Sequence, residues 1–104
     1  MTGFVQFIEY RTSRQDEIAT LMSDFRQKRQ EAGDGPSPVR AMSCADRDEE
    51  GRYCAVIEFA SYEEAMENSG REDTGAFAAT LAGLCDGPPT FRNFDQLETE
   101  EYKP

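Results

Sequence analysis

Histidine and tryptophan are both absent from this 104-residue chain. Without histidine there is no side chain that ordinarily titrates near neutral pH, no usual proximal haem ligand and no favoured nitrogen ligand for zinc. No metal site and no cofactor is therefore expected. Basic residues are scarce: 11 stand against 21 acidic ones, for a formal net charge of −10. Such a field repels phosphate backbones and anionic bilayers, so neither a nucleic acid nor a membrane is an expected partner. No apolar run approaches the ~18 residues of a membrane span. The opening MTGFVQFIEYRT has no basic n-region and reads as a strand rather than a targeting segment, which makes the cytoplasm the expected location. Cysteine is limited to Cys44, Cys54 and Cys85, with no CxxC spacing. An odd count among apolar neighbours predicts buried, reduced thiols.

What is present is patterned. Apolar residues make up 38% of the chain and recur with clear periods, which argues for a packed domain rather than disorder. One domain is expected over residues 1–97, followed by an acidic tail, 98–104. Phe4 to Tyr10 alternates as a first strand, with Phe4, Gln6, Ile8 and Tyr10 on one face and Val5, Phe7 and Glu9 on the other. Thr12 and Gln15 have capping-box spacing, and Ile18, Leu21, Met22 and Phe25 form a helical stripe behind them. Gly33 to Pro38 ends that helix. Val39 to Ala45 and Tyr53 to Ala60 read as a hairpin around the charged turn DRDEEGR. Ser61-Tyr-Glu-Glu is a second capping box. The helix it opens is interrupted at Asn68-Ser69-Gly70 and resumes with Asp73 or Thr74 as cap. Gly87-Pro88-Pro89 stops it before a last strand, Thr90 to Leu97.

This order predicts an α+β, ferredoxin-like βαββαβ domain: a four-stranded antiparallel sheet with helices on one face. The first and third strands are apolar on both faces, yet no residues remain to cover the second face. A second copy packed sheet to sheet is the expected solution, so the expected partner is the chain itself, as a homodimer.

Three segments carry a resemblance: FVQFIEYR; the strand and helix start YCAVIEFASYEEAM over Tyr53 to Met66; and NSGREDTGAFAATLAGLCDGPPTFRNF. Together they resemble the dimeric α+β barrel superfamily, and within it an uncharacterised branch of the antibiotic-biosynthesis-monooxygenase-like domains. The resemblance implies a homodimeric barrel and a pocket between sheet and helices. Its members include cofactor-independent oxygenases of aromatic polyketides, haem-degrading enzymes, decyclases and dismutases. The haem degraders use a histidine ligand, and they and some quinol-forming oxygenases use a tryptophan with an asparagine. This chain has neither histidine nor tryptophan, and carries Gln6 on its first strand.

No catalytic residue is assigned from the sequence. Gln6, Glu58 and Asn93 sit on strands among apolar neighbours and are the pocket candidates, with Arg92 beside them. Each would orient a flat aromatic ligand by hydrogen bonds, against the plainer reading of cross-strand pairing. Glu9 and Glu58 would form an acid–base pair only if their strands bring them together. Arg11, Arg40 and Arg92 could fork onto an acidic ligand or pair with surface carboxylates. Cys54 reads as a packing thiol, and Tyr10, Tyr53, Tyr62, Met22, Met42 and Met66 as packing residues. The turn Asp46 to Glu50 lacks the ligand register of a calcium loop. Two functions follow. One is a cofactor-independent, monooxygenase-like enzyme acting on a small aromatic or polyketide-like molecule. The alternative is a non-catalytic dimeric module binding a small apolar ligand or a protein.

Overall fold

A computed structural model describes residues 3–33 and 35–103. Its order is β1 (Gly3–Arg11), α1 (Gln15–Ala32), β2 (Arg40–Ala45), β3 (Arg52–Phe59), α2 (Tyr62–Ser69), α3 (Glu72–Leu84) and β4 (Thr90–Gln96). The four strands form one antiparallel sheet in the order β2-β3-β1-β4. This is the expected ferredoxin-like arrangement, with the second helix broken where Asn68-Ser69-Gly70 predicts.

Strand alternation decides what each face carries. Phe4, Ile8 and Tyr10 on β1 are buried, as are Ala55 and Phe59 on β3, and the register sets Phe4 opposite Phe59 and Ile8 opposite Ala55. These residues face the helices and divide into two clusters. Ile8, Tyr10 and Ala55 pack with Ile18 of α1 and Leu81 of α3, both fully buried. Phe4 and Phe59 pack with Ala65 of α2. Burying a side chain of this size contributes ~1.5–3 kcal/mol, so these few positions hold the layers together. The edge strands are barely covered: every residue of β2, and Thr90 to Asp95 of β4, is exposed. The helices thus shield the central pair, β1 and β3.

Arg29 locks the helical layer. It is only 7% exposed, and all five N–H donors of its guanidinium are used. Nη1 donates to the Pro36 carbonyl at 3.1 Å and to Asn68 Oδ1 at 2.6 Å. Nη2 donates to Asp73 Oδ2 at 3.1 Å and Thr74 Oγ1 at 2.9 Å, and Nε to Asp73 Oδ2 at 3.2 Å. The group also lies 4.9 Å from the Phe25 ring centre. One side chain of α1 therefore binds the α2–α3 junction and the loop at Pro36. Burial works against the Asp73 carboxylate, but Arg71 and Arg29 outweigh it and hold its pKa below the ordinary value.

Two expected caps do not form. Thr12 does not cap α1; Arg14 occupies that position without a side-chain cap. The buried Thr12 hydroxyl instead donates to the Leu84 carbonyl at 2.7 Å and accepts from the Arg14 amide at 2.9 Å. It ties the end of β1 to the end of α3. Helix α3 starts before Asp73 and Thr74, with Arg71 as the capping position. Asp73 and Thr74 are instead drawn to Arg29. Ser61 behaves as expected: its Oγ accepts from the Glu64 amide at 3.2 Å. Gly33 ends α1 at φ 65°, where its N–H donates to the Arg29 carbonyl, and Gly51 turns the hairpin at φ 87°. Both are left-handed conformations that suit glycine. Among the described residues no helix is long and apolar enough to cross a membrane.

Candidate functional site

Gln6 and Asn93 are direct partners across β1 and β4. Gln6 Nε2 donates to Asn93 Oδ1 at 3.0 Å. Both stand on the helix-facing side, in the β1 row that runs Phe4, Gln6, Ile8, Tyr10. Gln6 therefore falls between the two apolar clusters, since Phe4 belongs to one and Ile8 to the other. Asn93 stands on the uncovered margin of β4 next to Phe91, which is exposed on the same row. Each amide spends one donor or one acceptor on the other. Gln6 retains its carbonyl and Asn93 its amino group for a third molecule. The pair is flanked along its rows by the buried Phe4 and Ile8, the half-buried Ile57 and the exposed Phe91.

Glu58 and Arg92 do not share this site. Gln6 pairs with Ile57 on β3, so Glu58 points to the opposite face; Arg92 is likewise one residue out of phase with Asn93. The expected four-residue cluster therefore splits into two pairs on two faces. A one-residue difference along a strand reverses the side chain, and the sequence alone did not fix which phase faced the helices. Glu58 accepts from Gln96 Nε2 at 2.6 Å and lies 3.7 Å from Arg40. Arg92 lies 3.6 Å from Glu9 and over the Phe94 ring at 5.3 Å. Glu9 and Glu58 share that face but do not form an acid–base dyad. Glu9 is opposite Cys54 and Glu58 opposite Val5, four positions apart along β1. Each has its own arginines, Arg52 and Arg92 for Glu9 and Arg40 for Glu58.

The face without helices has an apolar centre of Val5, Phe7, Val56, Met42 and Phe94. The Phe7 and Phe94 rings are 5.0 Å apart. Met42 is 50% and Phe94 39% exposed, so Met42 is not the core filler expected of it. The pairs Glu9–Arg52, Glu9–Arg92 and Glu58–Arg40 surround this centre. A groove of about 310 Å³ runs along its edge between β2 and the tail, lined by Val5, Met42, Glu58, Gln96 and Thr99 among others. The tail is tied there, with Gln96 Nε2 donating to Thr99 Oγ1 at 2.6 Å and Arg40 lying 3.8 Å from Glu101. Leu97 and Tyr102 project away, 94% and 84% exposed.

A larger groove, about 750 Å³, lies where β1 leads into α1, against Tyr53 and Asp86. Both of its arginines are paired, Arg11 with Glu49 and Arg14 with Glu17. Arg11, and then Arg52, lower the Glu49 pKa. Tyr10 and Tyr53 are packing residues, as expected: their rings stack at 5.7 Å and the Tyr10 hydroxyl donates to Gln15 at 3.2 Å. Burial raises the Tyr10 pKa.

The cysteines are less buried than expected: Cys44 is exposed, and Cys54 and Cys85 are half-buried. Burial, followed by the Glu9 carboxylate, pushes the Cys54 thiol up, and burial raises that of Cys85. Neither is an activated nucleophile.

No family model matches the chain, and no curated protein does. Solved structures do. A putative antibiotic biosynthesis monooxygenase from Caulobacter crescentus CB15 superposes with a TM-score of 0.72 at 18% identity, covering 93% of this chain and 92% of that one. SnoaB, a cofactor-independent oxygenase from Streptomyces nogalater, superposes with a TM-score of 0.76 at 12% identity, covering 95% and 97%. A conserved protein from Methanosarcina mazei Go1 gives 0.75 at 7% identity, covering 93% and 95%. At these identities the likeness concerns the backbone. Four antiparallel strands under three helices, matched over nearly the whole of each chain, give this protein the fold of the antibiotic-biosynthesis-monooxygenase-like domains.

Proposed function

We propose that this chain is a monooxygenase-like dimeric α+β barrel protein that holds a small, flat aromatic or polyketide-like molecule against the Gln6–Asn93 pair, without metal or haem. The observation that carries this reading is the position of that pair. It is a half-used set of amide donors and acceptors at the junction of two apolar clusters, open on the β4 side. Apolar walls with a few fixed polar groups are what a flat ligand needs for burial and orientation. Amide N–H groups aimed at a ligand oxygen would stabilise enolate-like charge as it develops. A solved oxygenase of the same fold that works without a cofactor supports the reading.

The second half of the proposal concerns the open face. Its apolar centre with a charged rim fits a second copy of itself, because acidic and basic groups alternate around it and a two-fold axis can match each to its opposite.

Calorimetric titration with a hydroxylated tricyclic aromatic tests the ligand site. Wild type should bind, and Asn93→Ala and Gln6→Ala should each weaken binding about 5–10-fold, the worth of one hydrogen bond. Glu58→Gln and Arg92→Ala should leave it unchanged. Weakening by the second pair and not the first would move the site to the other face. The absence of histidine favours a second reading, a non-catalytic binding module. Dioxygen consumption with the bound ligand separates the two: uptake supports the enzyme, and binding without uptake supports the module.

A further inference from the structure

Cys44 and Cys54 face each other across the hairpin. They are register partners of β2 and β3, so both side chains leave the sheet on the same, helix-free face. The Asp46 amide donates to the Arg52 carbonyl at 2.9 Å, which sets the phase of the ladder. Two residues further along, Cys44 and Cys54 fall at the next position that exchanges backbone hydrogen bonds, where Cα atoms stand ~5.5 Å apart. A disulfide accepts a Cα separation of ~4.4–6.8 Å. It also needs Cβ atoms ~3.5–4.5 Å apart, whereas a hydrogen-bonded pair stands at the wide end of the ~4.5–5.5 Å cross-strand range. Closing the bond must therefore draw the two Cβ atoms together by roughly 1–2 Å. A disulfide under that strain forms, but gives way to reductant easily. The two thiols are also close enough for Cys44 to oppose ionisation of Cys54. Cys85 lies apart, packed against the helix-side cluster at the end of α3.

We infer that Cys44 and Cys54 form a reversible cross-strand disulfide, a redox-modification site that staples the edge strand β2 to β3. Cys44, the exposed thiol, meets the oxidant first. With glutathione disulfide as oxidant, the Cys44 thiolate attacks one glutathione sulfur and expels the other glutathione. The Cys54 thiolate then attacks the Cys44 sulfur of the mixed disulfide and expels the second glutathione. Two S–H bonds and one S–S bond break, one protein S–S bond forms, and both protons and both electrons leave on two glutathione thiols. The bond itself lies within one chain, and glutathione disulfide reaches Cys44 where a second copy leaves that end of the open face uncovered or while the copies are apart.

The test equilibrates the full chain for hours in glutathione disulfide, then counts free thiols under denaturing conditions and measures intact mass and non-reducing gel mobility. Wild type and Cys85→Ser should each lose two thiols and two hydrogens, run as a single chain, and recover both thiols in excess reduced glutathione. Cys44→Ser, at an exposed position that the fold does not depend on, should lose none to an internal bond; Cys54→Ser should behave alike. Three thiols remaining in wild type would overturn the inference. So would a stable glutathione adduct on Cys44, a chain-to-chain crosslink, or a disulfide that survives in Cys44→Ser.

Discussion

The two faces of the sheet carry comparable apolar residues but differ in what covers them. On one face Phe4, Ile8, Tyr10, Ala55 and Phe59 are buried beneath three helices, and the polar Gln6 stands between two clusters. On the other, Val5, Phe7, Val56, Met42 and Phe94 have charged neighbours and, among the described residues, no cover from their own chain beyond the tail at one edge. The covered face uses its apolar surface to fold, and the Gln6–Asn93 pair on it is the proposed ligand site. The open face carries the apolar surface proposed for association. The phase of strand alternation divides the two faces.

The largest test of this division is truncation on the covered side. Leu81→Ala, at a fully buried position, should cost about 2–5 kcal/mol in urea denaturation. Next comes Arg29→Met, which leaves the Pro36 carbonyl, Asn68 and Asp73 without their buried donor. About 3 kcal/mol should be lost, and the α2–α3 junction should gain hydrogen exchange before the sheet does. On the open side Val56→Asp should behave differently. Helix and strand content by circular dichroism should persist, while self-association weakens at least ~10-fold, or about 1.4 kcal/mol. Unfolding of Val56→Asp at every concentration would show that the two faces are not separable. The smallest effect is with acid. The folded pKa of Asp73 is depressed, so the unfolded chain binds the proton more readily. The stability this contributes is present above the unfolded value, about 3.9, and is lost as pH falls through the lower folded value. The drop in denaturation midpoint from about pH 6 to about pH 3 should accordingly be smaller in Asp73→Asn than in wild type.

Much of the fold was legible because its signals were local and periodic. Alternation over Phe4 to Tyr10, the Ser61 cap and the Gly70 break each depend on residues within a turn or two. What depended on distant partners was not. Thr12 has a capping sequence, but the Leu84 carbonyl, brought up by α3, takes its hydroxyl. Arg29 stands in the last turn of α1, and nothing nearby in sequence announces Asn68, Asp73 and Thr74 as its partners. At the site, Gln6 and Asn93 were found as polar points on apolar strands. Glu58 was grouped with them because β3 is apolar on both faces, so its composition could not reveal which side the helices take. The facing of Cys44 and Cys54 did leave a signal: they are placed symmetrically about the DRDEEGR turn, and the hairpin register follows from that symmetry.

The most direct measurement is sedimentation velocity of the purified full chain at micromolar concentration. The account predicts a species of twice the 11.7 kDa chain mass in wild type and a folded single chain in Val56→Asp. A wild-type monomer at that concentration would contradict it, leaving the apolar centre of the open face without the partner that its composition requires.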